Sequence, residues 1–362
     1  MLYHLLYPLK DIWFGFNVFR YITFRAAMAA VTSFAVVIIC GPLLIEWLKE
    51  LKAGQFVRKE HLGDLTAHHA RKEGTPTMGG LLIIIAVMVS SGLWCVLNND
   101  FVLLCMGGMI WLGIVGFVDD LIKIRTKSSK GIRARTKLAG QIVLALIVGL
   151  FVINNKAIGT DLYVPFVKNA VTNLGIFYLL FVLLVIVGAS NALNLTDGLD
   201  GLAIGCMLSI TLSYSIMSYI TGHMKICEYL NIFYLPGAGE IAVFCGALTG
   251  AGMGFLWYNS HPASIFMGDT GSLSLGGTIA IISVLIKKEL LLLIAGGVLA
   301  VEALSVILQV LSYKFRGKRI FHMAPIHHHF QIKGWHENQV TVRFWIISAI
   351  LALISMATLK VR

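Results

Sequence analysis

The chain is a series of apolar runs separated by short polar joints. Ten runs are long enough to cross a bilayer as helices: 22–45, 78–97, 101–120, 136–153, 174–190, 200–221, 240–257, 270–286, 290–312 and 341–360. Roughly 20 apolar residues span the hydrocarbon as a helix. The strict alternation of an outer-membrane barrel is absent. Backbone groups in lipid must be satisfied internally, so the pattern predicts an all-α polytopic membrane protein. Residues 1–20 mix aromatics with Lys10, Asp11 and Arg20, which suits a lead-in lying at the interface better than a cleavable leader. No repeat, low-complexity tract or detached domain interrupts the series, so 1–362 reads as one integral membrane domain.

Composition strengthens this reading. The chain is 57% hydrophobic and 13% charged, with a mean hydropathy of +0.82, against about a quarter charged in soluble domains. The net charge of +11 is concentrated in three joints. Joint 46–77 holds Lys49, Lys52, Arg58, Lys59, Arg71 and Lys72. Joint 121–137 holds Lys123, Arg125, Lys127, Lys130, Arg133, Arg135 and Lys137, and joint 313–340 holds Lys314, Arg316, Lys318, Arg319 and Lys333. The alternate joints are poor in Lys and Arg, which places the basic ones in the cytoplasm and both termini outside, in the periplasm. No basic module stands apart from the spans, so nucleic-acid binding is excluded. The cysteines, Cys40, Cys95, Cys105, Cys206, Cys227 and Cys245, show no C-x-x-C spacing and read as small buried hydrophobes.

Candidate chemistry lies in five polar segments. Asp119 and Asp120 end the run 101–120, directly before the basic joint. They could be ordinary interfacial charges, but acids this close to hydrocarbon are costly and mark sites. Such carboxylates hold Mg²⁺ against a diphosphate or take a proton from a nucleophile. Between two runs, Asn191 to Gly201 crowds together Asn194, Thr196, Asp197 and Asp200. As a bare pattern it is a capped turn, yet Asp197 and Asp200 would share a face at a helix start. Asn259–Ser272 centres on Phe266-Met267-Gly268-Asp269. Five of the nine aspartates thus fall at cytoplasmic helix ends, which favours a metal–phosphate site.

Lys72 and Thr77 belong to a Gly-Thr-Pro-Thr helix entry that suits an anion, although a plain helix start explains it as well. His327, His328 and His329 stand in a row. Adjacent side chains point apart and no further ligand is near in sequence, so phosphate contact or acid–base work fits better than zinc. Glu302 and Gln309 lie seven apart on nearly one face of the ninth run. Interhelical hydrogen bonding and a role in the site explain them equally well.

Taken together, GTPTMGG, GFVDD, NLTDGLDGLA, GFLWYN with FMGDTGSL, and MAPIHHHF resemble the bacterial phospho-N-acetylmuramoyl-pentapeptide transferases, within the polyprenyl-phosphate N-acetylhexosamine-1-phosphate transferases. The likeness runs over essentially the whole chain. It implies ten transmembrane helices in the bacterial inner membrane, outward termini and a cytoplasmic active site. The implied reaction moves phospho-MurNAc-pentapeptide from UDP to undecaprenyl phosphate with Mg²⁺, giving lipid I and UMP. It also implies Asp269 as metal ligand, Asp119 and Asp120 as the essential pair, and His327 and His328 near the catalytic centre. Nucleotide contacts are implied at Lys72, Thr77, Asn194, Asp197 and Gly268, with Phe266 stacking on uracil and Asp200 in the same polar segment. A UDP-N-acetylglucosamine-1-phosphate transferase is the alternative within the enzymes, and a membrane transporter the alternative outside them. Oligomeric state, a homodimer included, is left open, as is the choice between direct displacement and an aspartyl-phosphate.

Overall fold

The computed structural model describes residues 1–51, 74–128, 131–167 and 170–360. It is helical throughout apart from a two-stranded antiparallel pairing of Asp161–Leu162 with Thr172–Asn173. The principal helices are α1 (Ile22–Glu50), α2 (Gly80–Trp94), α3 (Asp100–Thr126), α4 (Ala134–Asn154) and α5 (Tyr178–Thr196). They continue with α6 (Leu202–Thr221), α7 (Gly239–Asn259), α8 (Gly268–Leu285), α9 (Gly297–Arg316), α10 (Ile326–Ile332) and α11 (Glu337–Ala357).

Among the described residues, nine helices are long and apolar enough to cross a membrane. The expected run 78–97 is the exception: α2 has 15 residues, because Cys95 turns extended. The expected run 290–312 is broken at Gly296, with Leu291–Ala295 forming a separate short helix before α9. The lead-in folds as a short helix, Leu2–Leu6, and two 3-10 turns that leave Ile12, Trp13 and Phe14 exposed.

Helix α8 forms the centre of the bundle, with 89% of its apolar window buried, and packs chiefly on α3 and α5. Helix α7 lies against α1 and α6. Small residues allow this closeness, as is usual where helices pack in lipid. One such case lies at Gly116 of α3, where an added Cβ would lie 2.2 Å from the Asp269 carbonyl oxygen. The glycine that precedes the aspartate pair therefore lets the start of α8 rest on the end of α3. At the other end of the bundle Arg25 pairs with Glu240 through both guanidinium ends, at 2.6 and 2.7 Å, and ties α1 to α7.

Candidate active site

Three aspartates meet where α3 ends and α8 begins, and their ligand oxygens lie within 4.8 Å of one another. Asp119 and Asp120 are 3% and 2% exposed. The first turn of any helix leaves N–H groups without partners. Asp120 meets those of α8: its Oδ1 accepts from Asp269 N at 3.2 Å, and its Oδ2 accepts from Thr270 N at 2.9 Å and Thr270 Oγ1 at 2.7 Å. It thus caps α8 from another helix. Asp119 is held more lightly, with Oδ1 accepting from Ile132 N at 2.8 Å and Oδ2 2.5 Å from Lys123 Nζ. Asp269 takes Asn194 Nδ2 at 2.7 Å on Oδ1, and Lys123 Nζ at 3.0 Å and Lys137 Nζ at 2.6 Å on Oδ2.

Three carboxylates this close repel unless cations intervene. Here two ammonium groups stand among them. The donor set is all oxygen, which suits a hard divalent cation such as Mg²⁺. Asp269 and Asp119 have oxygens held by lysines that such an ion could displace, whereas Asp120 is engaged by the backbone of α8. Lys123 and Lys137 were legible in the sequence only as members of a basic joint. Lys123 lies four residues after Asp119, one helical turn on, and that spacing signals the contact. Lys137 comes from α4 and has no local signal.

Thr77 and Gly268 lie beside the aspartate trio. Phe266 N donates to Pro76 O at 2.8 Å, Gly79 N to Phe266 O at 2.8 Å and Gly80 N to Met267 O at 2.9 Å, so the two motifs are laced together by backbone. Gly268 adopts φ +71°, and a Cβ there would meet Asp120 Oδ2 at 2.6 Å and Thr77 Oγ1 at 2.9 Å. Phe266 is half-buried beside them. Asn194, one turn from the end of α5, also donates to Ser272 Oγ at 2.8 Å. Lys72 lies outside the described residues.

Asp200 departs from the expected shared helix face with Asp197. Gly201 adopts φ +73° and reverses the chain between α5 and α6. Asp200 consequently groups with His261 and Glu337 instead of the aspartate trio. Its Oδ2 contacts His261 Nδ1 at 2.9 Å and accepts from Ala263 N at 3.2 Å, while its backbone N donates to Glu337 Oε1 at 3.0 Å. Asp197, half-buried, follows the last turn of α5. Sequence reasoning overlooked His261 and Glu337, which no spacing connects to Asp200.

The three histidines point in different directions. His327 is fully buried and faces Glu302. His328 is half-buried, with Nδ1 2.8 Å from Gln331 Oε1. His329 Nδ1 accepts from His322 N at 3.1 Å; partial burial, then Lys333 and His322, lower its pKa and favour the neutral ring. Gln309 clasps the following loop: its Oε1 accepts from Ile320 N and Phe321 N, both at 3.0 Å, and its Nε2 donates to Phe321 O at 2.9 Å.

An apolar groove of about 340 Å³ runs between α5 and α9, lined by Phe181, Val185, Ala189, Ala192, Ala303 and Ile307 among others. Its Ala192 end is two residues from Asn194, which touches Asp269.

Comparison with known proteins bears on the family. The family described as Glycosyl transferase family 4 matches residues 102–287, and Phospho-N-acetylmuramoyl-pentapeptide-transferase signature 1 matches residues 72–84. The phospho-N-acetylmuramoyl-pentapeptide-transferase of Citrifermentans bemidjiense is 52% identical over 362 residues, covering all of both chains. That of Geobacter sp. strain M21 is also 52% identical over 362 residues, and that of Maridesulfovibrio salexigens 51% over 364, again at full coverage.

Proposed function

Because the chain belongs to the phospho-N-acetylmuramoyl-pentapeptide-transferase family, we propose that it transfers phospho-MurNAc-pentapeptide from UDP-MurNAc-pentapeptide to undecaprenyl phosphate. The products are lipid I and UMP. The observation that carries this reading is the trio Asp119, Asp120 and Asp269, with Lys123 and Lys137 among them, at the end of an apolar groove. One substrate is a lipid and the other is water-soluble. Such a pair can meet only where a groove for a hydrocarbon chain opens on a charged site.

Two anions must approach each other, so neutralising charge is the main demand. Mg²⁺ held by Asp269 would supply positive charge to the diphosphate, leaving Asp119 free to act as a base. Lys123 and Lys137 stand ready to pair with phosphate oxygens. Asp119 is the better placed acid to take a proton from the lipid phosphate, which then attacks the β-phosphorus directly. Asp120 anchors the start of α8, keeping Asp269 in place. Phe266, Gly268, Thr77, Asn194 and Asp197 surround the nucleotide, with Lys72 joining them from the preceding joint. Asp200 supports that pocket through His261 and Glu337. Gln309 acts by holding the loop that leads to the histidine run, and His328 meets the substrate.

The Arg25–Glu240 tie joins the start of α1 to the start of α7, whose far end, at Asn259, meets Gly201. Helix α11 begins beside Asp200, where Thr341 Oγ1 donates to the Asp200 carbonyl at 3.4 Å, and runs away from it. Both ends of the chain therefore lie away from the acids. This supports ten spans, with α2 as the short one and with the termini on the side opposite the site; the basic joints then make that side periplasmic and the site cytoplasmic.

The test is UMP release by purified protein given undecaprenyl phosphate, UDP-MurNAc-pentapeptide and Mg²⁺, beside Asp269→Ala. Release by the parent and silence of the variant are expected. Release with UDP-N-acetylglucosamine alone would move the chain to the sister branch. Metal-dependent flux across liposomes without UMP release would make it a transporter.

A further inference from the structure

Glu302 lies within α9, a helix apolar enough to span a membrane, and has no exposed surface. A carboxylate there is costly, and replacing a buried ion pair by apolar side chains is often neutral for stability. It faces His327, near the start of α10 and equally buried, with His327 Nδ1 3.1 Å from Glu302 Oε2. The contact is off the line of a hydrogen bond, and among the described residues neither Glu302 oxygen and neither His327 nitrogen has a hydrogen-bond partner. Buried polar atoms left in this way call for a reason other than stability.

The far side of the imidazole supplies that reason. A Cβ built on Gly198 would lie 2.3 Å from His327 Nε2 and 2.8 Å from Cε1. Gly198 is not among the glycines with positive φ. The backbone therefore does not require glycine at this position; the imidazole does. Gly198 follows Asp197 in the turn between α5 and α6. Upstream, Asn194 reaches Asp269 at 2.7 Å, and downstream Gly201 N donates to Asn259 Oδ1 at 3.1 Å.

We propose that Glu302 and His327 are positioning residues: together they form a strut from α9 that sets the Asn194–Asp200 turn against the carboxylate site and so shapes the pocket for the uridine nucleotide. The strut rests on the transferase reading, in which that turn holds the nucleotide. His327 acts through Gly198 and touches no reacting atom, which leaves His328 as the histidine of the run that faces substrate.

The experiment measures UMP binding by calorimetry, steady-state constants and thermal unfolding on the full-length protein. The variants are Glu302→Met, His327→Ala, their double variant, Gly198→Ala and Gly198→Ala with His327→Ala. Each single variant should weaken UMP binding about tenfold or more, the scale on which losing an outer partner loosens an ordered site. KM for UDP-MurNAc-pentapeptide should rise likewise, with KM for undecaprenyl phosphate unchanged. The double variant should be no worse than either single one, because residues acting as one unit are not additive. Gly198→Ala should cost nothing further once His327 is alanine. Glu302→Met should melt no lower than the parent.

Unchanged UMP binding with a lower kcat would place His327 at the reacting atoms and overturn the strut. Additive losses, or a lower melting temperature with normal UMP binding, would overturn it too. A parent that binds UMP but releases none from the sugar nucleotide would refute the transferase reading, and the coupling between Glu302 and the turn would still be read from binding. A parent that neither binds nor releases UMP would refute both.

Discussion

At the start of α8, Asp269 shares the ammonium groups of Lys123 and Lys137 with its neighbours. Just beyond the end of the same helix, Lys287 and Glu289 face each other at 3.8 Å with no exposed surface. Both clusters set carboxyl groups beside lysine ammonium groups, in different surroundings. Lys123 is 30% exposed and Asp269 15%, so an ion or a phosphate can reach them. At the distal end Tyr178 OH donates to Glu289, the Lys287 ammonium lies 3.9 Å from the centre of the Tyr178 ring, and Lys287 Nζ donates to Gly159 O at 3.1 Å. Burial pushes the Glu289 carboxyl pKa up and the Lys287 ammonium pKa down. One end of α8 keeps its charges and offers them outward, while the other end discourages charge and uses its polar atoms to fasten the fold.

The largest effect expected from this contrast is at Asp269. Asp269→Ala should lower turnover about a thousandfold or more, the scale of losing a main electrostatic stabiliser. It should also remove Mg²⁺ binding measured by calorimetry, with thermal unfolding little changed. A folded variant that keeps its activity would show that the cluster is a structural tie like the distal one. Next, Asp119→Asn and Asp120→Asn should both lose about a hundredfold or more in kcat. Only Asp120→Asn should also lose stability, by about 1 kcal/mol, because both its oxygens accept from the start of α8 and the amide keeps only one acceptor. Equal stability losses in the two variants would refute the division of labour between them.

A smaller effect has opposite signs in two assays. Lys137→Met removes a cation that competes for Asp269, so the apo protein should bind Mg²⁺ about fivefold more tightly, for about 1 kcal/mol of ion pairing. Turnover should fall nonetheless, because the phosphate loses its partner. Weaker Mg²⁺ binding in the variant would show that Lys137 organises the site instead of holding it in readiness.

The same contrast explains how far the sequence could be read. The spans follow from hydropathy alone, and the acids stood out because they end apolar runs on one predicted side. Lys123 was readable from its spacing to Asp119. Thr270 and Lys137 were not, because their contacts join helices far apart in sequence. Asp200 was misplaced because a left-handed Gly201 turns it toward His261 and Glu337, and no periodicity encodes that reversal. Glu302 was visible as an acid inside a span, but His327, which it faces, comes from α10, beyond the joint that follows the span. The break at Gly296 falls at a Gly-Gly pair inside the ninth run, a breaker signal that hydropathy alone passes over.

The smallest effect expected is at Glu289. Gln keeps the volume and a carbonyl oxygen to accept from Tyr178, so Glu289→Gln should leave turnover unchanged and shift stability by less than about 1 kcal/mol at neutral pH. Its pH dependence is more telling. A carboxyl whose folded pKa is raised supports the fold below its unfolded value and loses that support as pH rises through the folded one. Gln does not titrate. The melting temperature of Glu289→Gln relative to the parent should therefore climb as pH rises above the ordinary carboxylate range, where the raised carboxyl of the parent gives up its proton. Glu289→Ala leaves the buried Tyr178 hydroxyl without its acceptor and should cost about 2 kcal/mol throughout that pH series. A flat difference for Gln would show that Glu289 is charged when folded, and the distal cluster would then be an ion pair of the same kind as the site. A loss of turnover in Glu289→Gln would connect the two ends of α8 functionally, which the full burial of Lys287 and Glu289 argues against.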